Sequence, residues 1–206
     1  MSMELYSWPR SSGTRVAWAL EELGVPFEYR EVDAKQQEHQ SPSYLAINPH
    51  GKVPALVDDG ERYFESAAML LHLGDKYGVA KKLWPAAGGQ ERADALCWTV
   101  WASTELFPCM VQVLYHGLDT PISFRPDDRS KAAADYAMSQ LQRQLRALQT
   151  RLSSRDYLLG DFSLADIACV SGLAFGSSIG LHLDQYPKVV AWIRRCTERP
   201  ACKRAR

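Results

Sequence analysis

The sequence lacks the features that would indicate a membrane protein, a nucleic-acid-binding protein or a disulfide-stabilised fold. None of its apolar runs approaches the roughly 20 residues that a helix needs to span a bilayer. Its 24 basic and 24 acidic side chains cancel, so the net charge indicates neither a nucleic acid nor an anionic membrane surface as partner. The cysteines are odd in number and scattered without a C-x-x-C motif, which argues against a disulfide framework and a zinc site. We therefore expect no metal.

The N-terminal segment also lacks a targeting pattern. Met1 to Arg10 has no apolar stretch of the kind found in secretory signal peptides, so we expect a cytoplasmic protein in a reducing compartment. With 206 residues, of which 46% are hydrophobic, the chain is long enough to bury one large core or two modest ones.

The first third of the sequence begins with a strand, a helix and a second strand. Residues 3–7 form a short apolar strand, and apolar residues recur at helical spacing from Val16 to Leu23. Gly24 is expected to end this helix, and residues 27–32 alternate as a strand. This order predicts the right-handed crossover of a parallel sheet.

A sharp turn followed by an extended segment is predicted around Pro54. Gly51 supplies a tight turn, while Pro54 holds Val53 in extended geometry and makes a cis peptide bond accessible. Residues 53–57 then form a short apolar run. We therefore expect an exposed, extended edge at Val53.

A hairpin and a helix follow this edge. The sequence Asp58-Asp59-Gly60 is typical of a hairpin turn, and residues 62–64 are the returning strand. Ser66 is expected to cap a helix over residues 67–77. The free N–H groups at such a helix start attract carboxylates, so an extended peptide could bind between the edge and the helix. The structural alternative is a hairpin and a capped helix without a ligand.

Everything beyond a linker with Pro85 and Gly88-Gly89 has the pattern of helices. A long helix is expected to kink at Pro108, and a second apolar stripe runs from Ala133 to Leu152. The last helix should start at Pro187 and end before Pro200. The predicted organisation is thus an α/β domain over residues 1–80, a linker over 81–89 and an all-α helical bundle over 90–206.

A variant capping box stands inside the helical half. Ser163 is at the N-cap position and Asp166 three residues later, with Phe162 and Ile167 where a hydrophobic staple needs them. We assign Asp166 a role in folding and not in catalysis.

Together these motifs resemble the cytosolic glutathione S-transferase family, including bacterial-type members and the serine-class theta, delta, phi and beta relatives. The residues on which this resemblance rests are Asn-Pro-x-Gly before Val53-Pro54, Glu65-Ser66 some eleven residues later, and the capping box at Ser163. The resemblance implies a thioredoxin-like first domain of order βαβ-ββα, followed by a helical domain. It also implies glutathione as co-substrate.

The resemblance assigns glutathione contacts to two segments. The main chain at Val53, with Lys52 and Pro54 beside it, would pair with the cysteinyl backbone of glutathione. Glu65 and Ser66 would hold its γ-glutamyl end. The reaction implied is delivery of the glutathione thiolate to a hydrophobic electrophile, by conjugation or in peroxide reduction.

The residue that stabilises the thiolate stays open between three side chains. Ser11 lies four residues before Arg15, the spacing of theta-like and delta-like members, and is our first choice. Ser12 is the choice if the loop is counted from Leu5, and Tyr6 is where other classes carry a catalytic tyrosine. The structural alternative is that one serine only caps the helix. The absence of cysteine from this loop argues against thiol exchange.

The electrophile would bind beside apolar side chains between the two domains. Candidates are Trp8 in the first domain and Trp101, Phe107 and Met110 in the second. The family resemblance further implies a homodimer. The alternative function is that of a non-catalytic ligand-binding or scaffold protein with the same fold, which would not need the Ser11 hydroxyl.

Overall fold

The computed structural model describes residues 2–205 and divides the chain into two units. One unit contains the residues up to Gly88 together with the segment that begins at Glu198, and the other runs from Gly89 to Thr197. In the described residues the strands are β1 (Met3–Ser7), β2 (Glu28–Glu31), β3 (Ala55–Asp58) and β4 (Glu61–Phe64), and the α-helices are α1 (Gly13–Leu23), α2 (Pro42–Leu45), α3 (Ser66–Leu73), α4 (Gly89–Trp101), α5 (Phe107–Gln112), α6 (Lys131–Arg151), α7 (Leu164–Ser178), α8 (Pro187–Thr197) and α9 (Pro200–Arg204).

The first unit is built on a four-stranded sheet of order β2-β1-β3-β4. Strands β1 and β2 are parallel and joined by α1, whereas β3 is antiparallel to both β1 and β4. The βαβ-ββα order predicted from the sequence is therefore confirmed. The hairpin turn is confirmed as well, because Asp59 and Gly60 take positive φ angles of 50° and 90°.

The start of α3 differs from the sequence prediction. Ser66 is the first residue of the helix, and Glu65 holds the N-cap position with a φ of 66° and no side-chain capping bond. The prediction of Ser66 as the N-cap residue is therefore wrong by one position. The helical pattern continues past Leu73 as a wider, π-type turn over Gly74–Gly78.

The long helix of the second unit is interrupted near its proline. Between α4 and α5 lies a π-type turn, Ala102–Leu106, and a second one, Val113–Gly117, follows α5. Pro108 has no N–H to donate to the carbonyl of Thr104, so the regular bonding of an α-helix cannot continue through this point.

The capping box at the start of α7 is confirmed. Asp166 is fully buried, and its carboxylate accepts bonds from the Ser163 N–H at 2.9 Å and the Ser163 hydroxyl at 3.1 Å. It also accepts from the Leu158 N–H and the Trp192 indole, both at 2.9 Å. Burial raises the pKa of Asp166 to about 6, although these hydrogen bonds act to lower it.

The last segment of the chain packs in the first unit. Two bonds of 2.6 and 2.7 Å join the Arg199 guanidinium to the Glu22 carboxylate on α1, and Arg204 pairs with Glu21 at 2.6 Å. The structure thus differs from the expected single helical domain over residues 90–206, because α9 belongs with α1.

Candidate functional site

Three segments of the predicted site meet at one end of the sheet. Tyr6 pairs with Ala55 in the register of β1 and β3, and Ala55 pairs with Phe64 in that of β3 and β4. The end of β1, the start of β3 and the end of β4 are therefore adjacent. The structure brings Ser7, Val53-Pro54 and Glu65 to the same edge.

The turn before β3 is held by three side chains, of which the sequence analysis named only Asn48, in the Asn-Pro-x-Gly motif. The Lys52 carbonyl accepts bonds from the Tyr44 hydroxyl at 2.7 Å and the Asn48 amide at 2.6 Å. The Gly51 carbonyl accepts from the Gln40 amide at 3.0 Å. These bonds fix the main chain on the approach to the predicted edge.

The Val53–Pro54 peptide bond is cis, a conformation that Pro54 makes accessible. Gly51 takes a φ of 57°, and a Cβ at this position would lie 2.5 Å from the Gln40 amide nitrogen. The turn therefore requires glycine for its backbone conformation, and a side chain at this position would also displace the Gln40 amide. Strand β3 begins only at Ala55, so residues 53 and 54 precede its ladder with β4.

The two candidate serines lie at the start of α1 and have different partners. The Gly13 N–H donates to Ser11 Oγ at 3.0 Å, and Ser7 Oγ lies 2.8 Å from the same oxygen. The Ser12 hydroxyl donates to the Val53 carbonyl at 3.4 Å. Ser12 thus connects the helix start with the cis-proline segment, while Ser11 bonds the first N–H of the helix.

Tyr6 has a different environment from the serines. Side chains alternate along β1, so Tyr6 lies on the face opposite Ser7 and packs edge-on against Tyr44, with ring centroids 6.2 Å apart. Its hydroxyl donates to the Glu4 carboxylate at 3.2 Å. Burial and the Glu4 charge raise the pKa of Tyr6. The Tyr6 hydroxyl is therefore already hydrogen-bonded to Glu4, a carboxylate on its own strand.

Glu65 and Ser66 form the junction between β4 and α3. Glu65 is exposed, with its carbonyl accepting the Met69 N–H at 3.1 Å, and its positive φ turns the chain into the helix. Ser66 is buried, with 8% of its surface exposed. The N-terminal N–H groups of α3 thus begin at Ser66, two residues after Phe64, which pairs with Ala55 next to Pro54.

The predicted electrophile-binding residues all pack within their own units. Trp8 and Val53 pack on one apolar cluster of the first unit, and the Trp8 ring lies edge-on to His39 at 5.6 Å. In the second unit, the Trp101 indole donates to Gln144 at 3.1 Å. The Phe107 ring packs against Gly172, where a Cβ would be 2.2 Å from it, and Met110 is buried. For each of these four residues, a role in binding an electrophile stays a prediction.

Ser7 is the polar residue of the site that the sequence analysis missed. It is fully buried on the face of β1 that also carries Met3 and Leu5. The sequence signal that could have identified Ser7 is its position on the apolar face of an alternating strand. A hydroxyl buried there needs a hydrogen-bond partner.

Within residues 2–205, no group of three or more histidine, cysteine, aspartate or glutamate side chains has the arrangement of a metal site. None of the helices in that range has the length and apolar character of a membrane span.

Comparison with known proteins identifies the family. The family model described as glutathione S-transferase, N-terminal domain, matches residues 1–75, and the C-terminal domain model matches residues 111–200. The chain is 32% identical to glutathione S-transferase 1 of Zea mays over 93% of this chain and 89% of that protein. It is 31% identical to glutathione S-transferase 3 of Schizosaccharomyces pombe over 97% of this chain and 84% of that protein. The chain therefore belongs to the glutathione S-transferase family.

Solved structures agree with this assignment. The glutathione transferase URE2P8 from Phanerochaete chrysosporium, solved with oxidized glutathione, matches 99% of this chain and 93% of its own at a TM-score of 0.87 and 27% identity. The structure of glutathione S-transferase-I bound with lactoylglutathione matches 100% of this chain and 98% of its own, at a TM-score of 0.84 and 30% identity.

Proposed function

We propose that this protein is a glutathione transferase that binds glutathione, stabilises its thiolate and delivers it to a hydrophobic electrophile. The observation that carries the proposal is the position of the Ser11 hydroxyl. It bonds the Gly13 N–H at the start of α1, and the neighbouring Ser12 bonds the Val53 carbonyl of the cis-proline segment. A hydroxyl and a peptide-binding edge are thus linked within one unit.

Glutathione is a tripeptide whose shape suits this edge. The main chain at Val53 pairs with its cysteinyl residue by strand addition, which places the thiol beside α1. Lys52 and Pro54 flank this pairing, and the exposed Glu65 with Ser66 receives the γ-glutamyl amino and carboxylate groups at the start of α3. The related glutathione transferase URE2P8 was solved with oxidized glutathione, which supports glutathione as the ligand of this site.

The energetic requirement on Ser11 is modest. A free thiol has a pKa near ~8.5, and lowering it by two units needs a preference of roughly 2.7 kcal/mol for the thiolate. A hydroxyl that donates to an anion supplies about 1.5–3 kcal/mol, and a helix N-terminus adds about 0.3–1 kcal/mol. Ser11 acts as a hydrogen-bond donor to the sulfur, which is itself the nucleophile.

The test is binding to glutathione-agarose together with the conjugation rate for 1-chloro-2,4-dinitrobenzene. The wild-type protein should do both. Ser11→Ala should still bind the glutathione resin but lose most of its conjugation rate at neutral pH. Binding without turnover in the wild type would instead support a non-catalytic ligand-binding protein. Failure to bind glutathione at all would refute the proposal.

We further propose that the protein works as a cytoplasmic homodimer. Leu96 and Val100, one helical turn apart on α4, expose 36% and 45% of their surfaces. Apolar side chains on the solvent side of a helix are typical of a surface that a second copy covers.

A further inference from the structure

The buried hydroxyl of Ser7 lies next to that of Ser11, the proposed thiolate donor. Ser7 ends β1 and has no exposed surface. Its Oγ is 2.8 Å from Ser11 Oγ and 3.4 Å from the Trp8 carbonyl, to which it can donate. A polar group on the apolar face of a strand requires such partners, and here one of them is the proposed thiolate donor.

Counting protons decides the direction of the bond between the two serines. Ser11 Oγ has one proton and two lone pairs, and one lone pair already accepts the Gly13 N–H at 3.0 Å. If Ser11 gave its proton to Ser7, none would remain for the sulfur. Whenever Ser11 donates to a thiolate, Ser7 must therefore be the donor in the bond between the serines.

The close packing around the two side chains fixes the positions of their oxygens but not the direction of the bond between them. A Cβ on Gly13 would lie 1.9 Å from Ser7 Oγ and 3.2 Å from Ser11 Oγ. The backbone at the start of α1 thus packs directly on both side chains. A rotated Ser7 hydroxyl has the Trp8 carbonyl as its alternative acceptor, so the pair can switch its proton without moving heavy atoms.

We propose that Ser7 is a positioning residue for the transferase reaction: it donates its proton to Ser11 Oγ and so directs the Ser11 proton toward the glutathione sulfur. This inference rests on the proposed function. A hydroxyl that accepts two hydrogen bonds is a stronger donor, because bonds in a chain polarise one another. Since Ser7 is fully buried and bonds Ser11, its loss should affect the thiolate and not the affinity for glutathione.

A double-mutant cycle tests this coupling with the wild type, Ser7→Ala, Ser11→Ala and the double variant. The readouts are kcat, the dissociation constant for glutathione, and the thiolate absorbance of bound glutathione at one pH near neutrality. Ser7→Ala should lower the ratio of bound thiolate to thiol about 1.3- to fivefold, with a parallel fall in kcat, which corresponds to a 10–30% loss in the strength of one charge-assisted bond. The dissociation constant should stay unchanged. In the Ser11→Ala background, Ser7→Ala should have no further effect.

Ser171→Ala on α7 is the matched control, because its oxygen is also buried but has no hydrogen-bond partner in the structure. It should leave kcat and the thiolate fraction unchanged. An equal loss from Ser7→Ala in both backgrounds, or no loss in either, would overturn the role of Ser7. If Ser7→Ala does not fold, Ser7→Cys keeps a weak donor, and a wild-type kcat in that variant would likewise overturn it. Full activity of Ser11→Ala would instead refute the donor in the proposed function.

Discussion

At the scale of single residues, the two loop serines have separable roles. Ser11 bonds the helix start and the buried Ser7, whereas Ser12 bonds the Val53 carbonyl. Removing the Ser11 hydroxyl should raise the pKa of bound glutathione by about one to two units, since each unit corresponds to about 1.36 kcal/mol of lost preference for the anion. The pH dependence of kcat/KM reports this shift, and activity should partly recover at higher pH.

Ser12→Ala is the control for that prediction because it is one position away on the same loop. It should leave the pKa of the bound thiol near its wild-type value. A raised pKa in Ser12→Ala with none in Ser11→Ala would show that Ser12 is the donor. If neither variant shifts the titration, the thiolate is stabilised by other groups.

Some of the site's residues could be predicted from sequence because their signals are local. Gly51 permits the positive φ of the turn and Pro54 makes a cis bond accessible, so both signals come from the covalent structure of single residues. The partnership of Ser7 with Ser11 could not be predicted, because it depends on how the end of β1 packs against the start of α1. Nothing in the local pattern specifies that contact.

At the scale of secondary-structure elements, the start of α7 depends on one buried carboxylate. Asp166→Ala leaves the N–H groups of Leu158, Ser163 and Trp192 without their acceptor. A buried donor without a partner costs about 1–3 kcal/mol, so we expect a loss of about 3 kcal/mol or more in the free energy of unfolding. Denaturant titration measures it, with the exposed Asp161→Ala expected to change stability by less than about 0.5 kcal/mol.

The same carboxylate should make stability depend on pH. Its native pKa of about 6 lies above the ordinary value of 3.8, so between these values the native state binds more protons than the unfolded state. The part of the Asp166 contribution that depends on pH is therefore fully present below about pH 3.8 and is lost as the pH rises through about 6. The difference in unfolding free energy between wild type and Asp166→Asn should grow as the pH falls from 7 to 4, by up to about 3 kcal/mol. A constant difference would contradict the raised pKa.

Element boundaries were predictable where one residue decides them and not elsewhere. Gly24 ends α1 in the left-handed conformation, with a φ of 62°, as its lack of a side chain allows. Glu65 takes a similar φ although it is not glycine, which moved the start of α3 by one residue. Glu65 joins the end of β4 to the start of α3, so its conformation depends on how these two elements are placed and not on the residue types around Ser66.

At the scale of the whole molecule, long-range contacts that include ion pairs join the last residues to the first unit. Arg199 and Glu22 are 177 positions apart in the sequence. Many charged residues could have formed such a pair, so composition could not select this one. The resemblance of the whole chain to a two-domain family, in contrast, was predictable, because each motif stands in a fixed order along the sequence.

The proposed homodimer depends on the apolar surface of α4. A stable dimer typically buries about 800 Å² on each subunit, and a charge placed at the centre of such an interface loses its hydration without gaining a partner. Leu96→Asp combined with Val100→Asp should therefore shift the protein from dimer to monomer in sedimentation velocity, while Val190→Asp on α8, also an exposed apolar position at 41%, should leave the dimer intact. Far-ultraviolet circular dichroism should be the same for all three proteins, since these side chains lie outside the core. A wild-type protein that sediments as a monomer, or a double aspartate variant that remains a dimer, would show that this face of α4 does not join two copies.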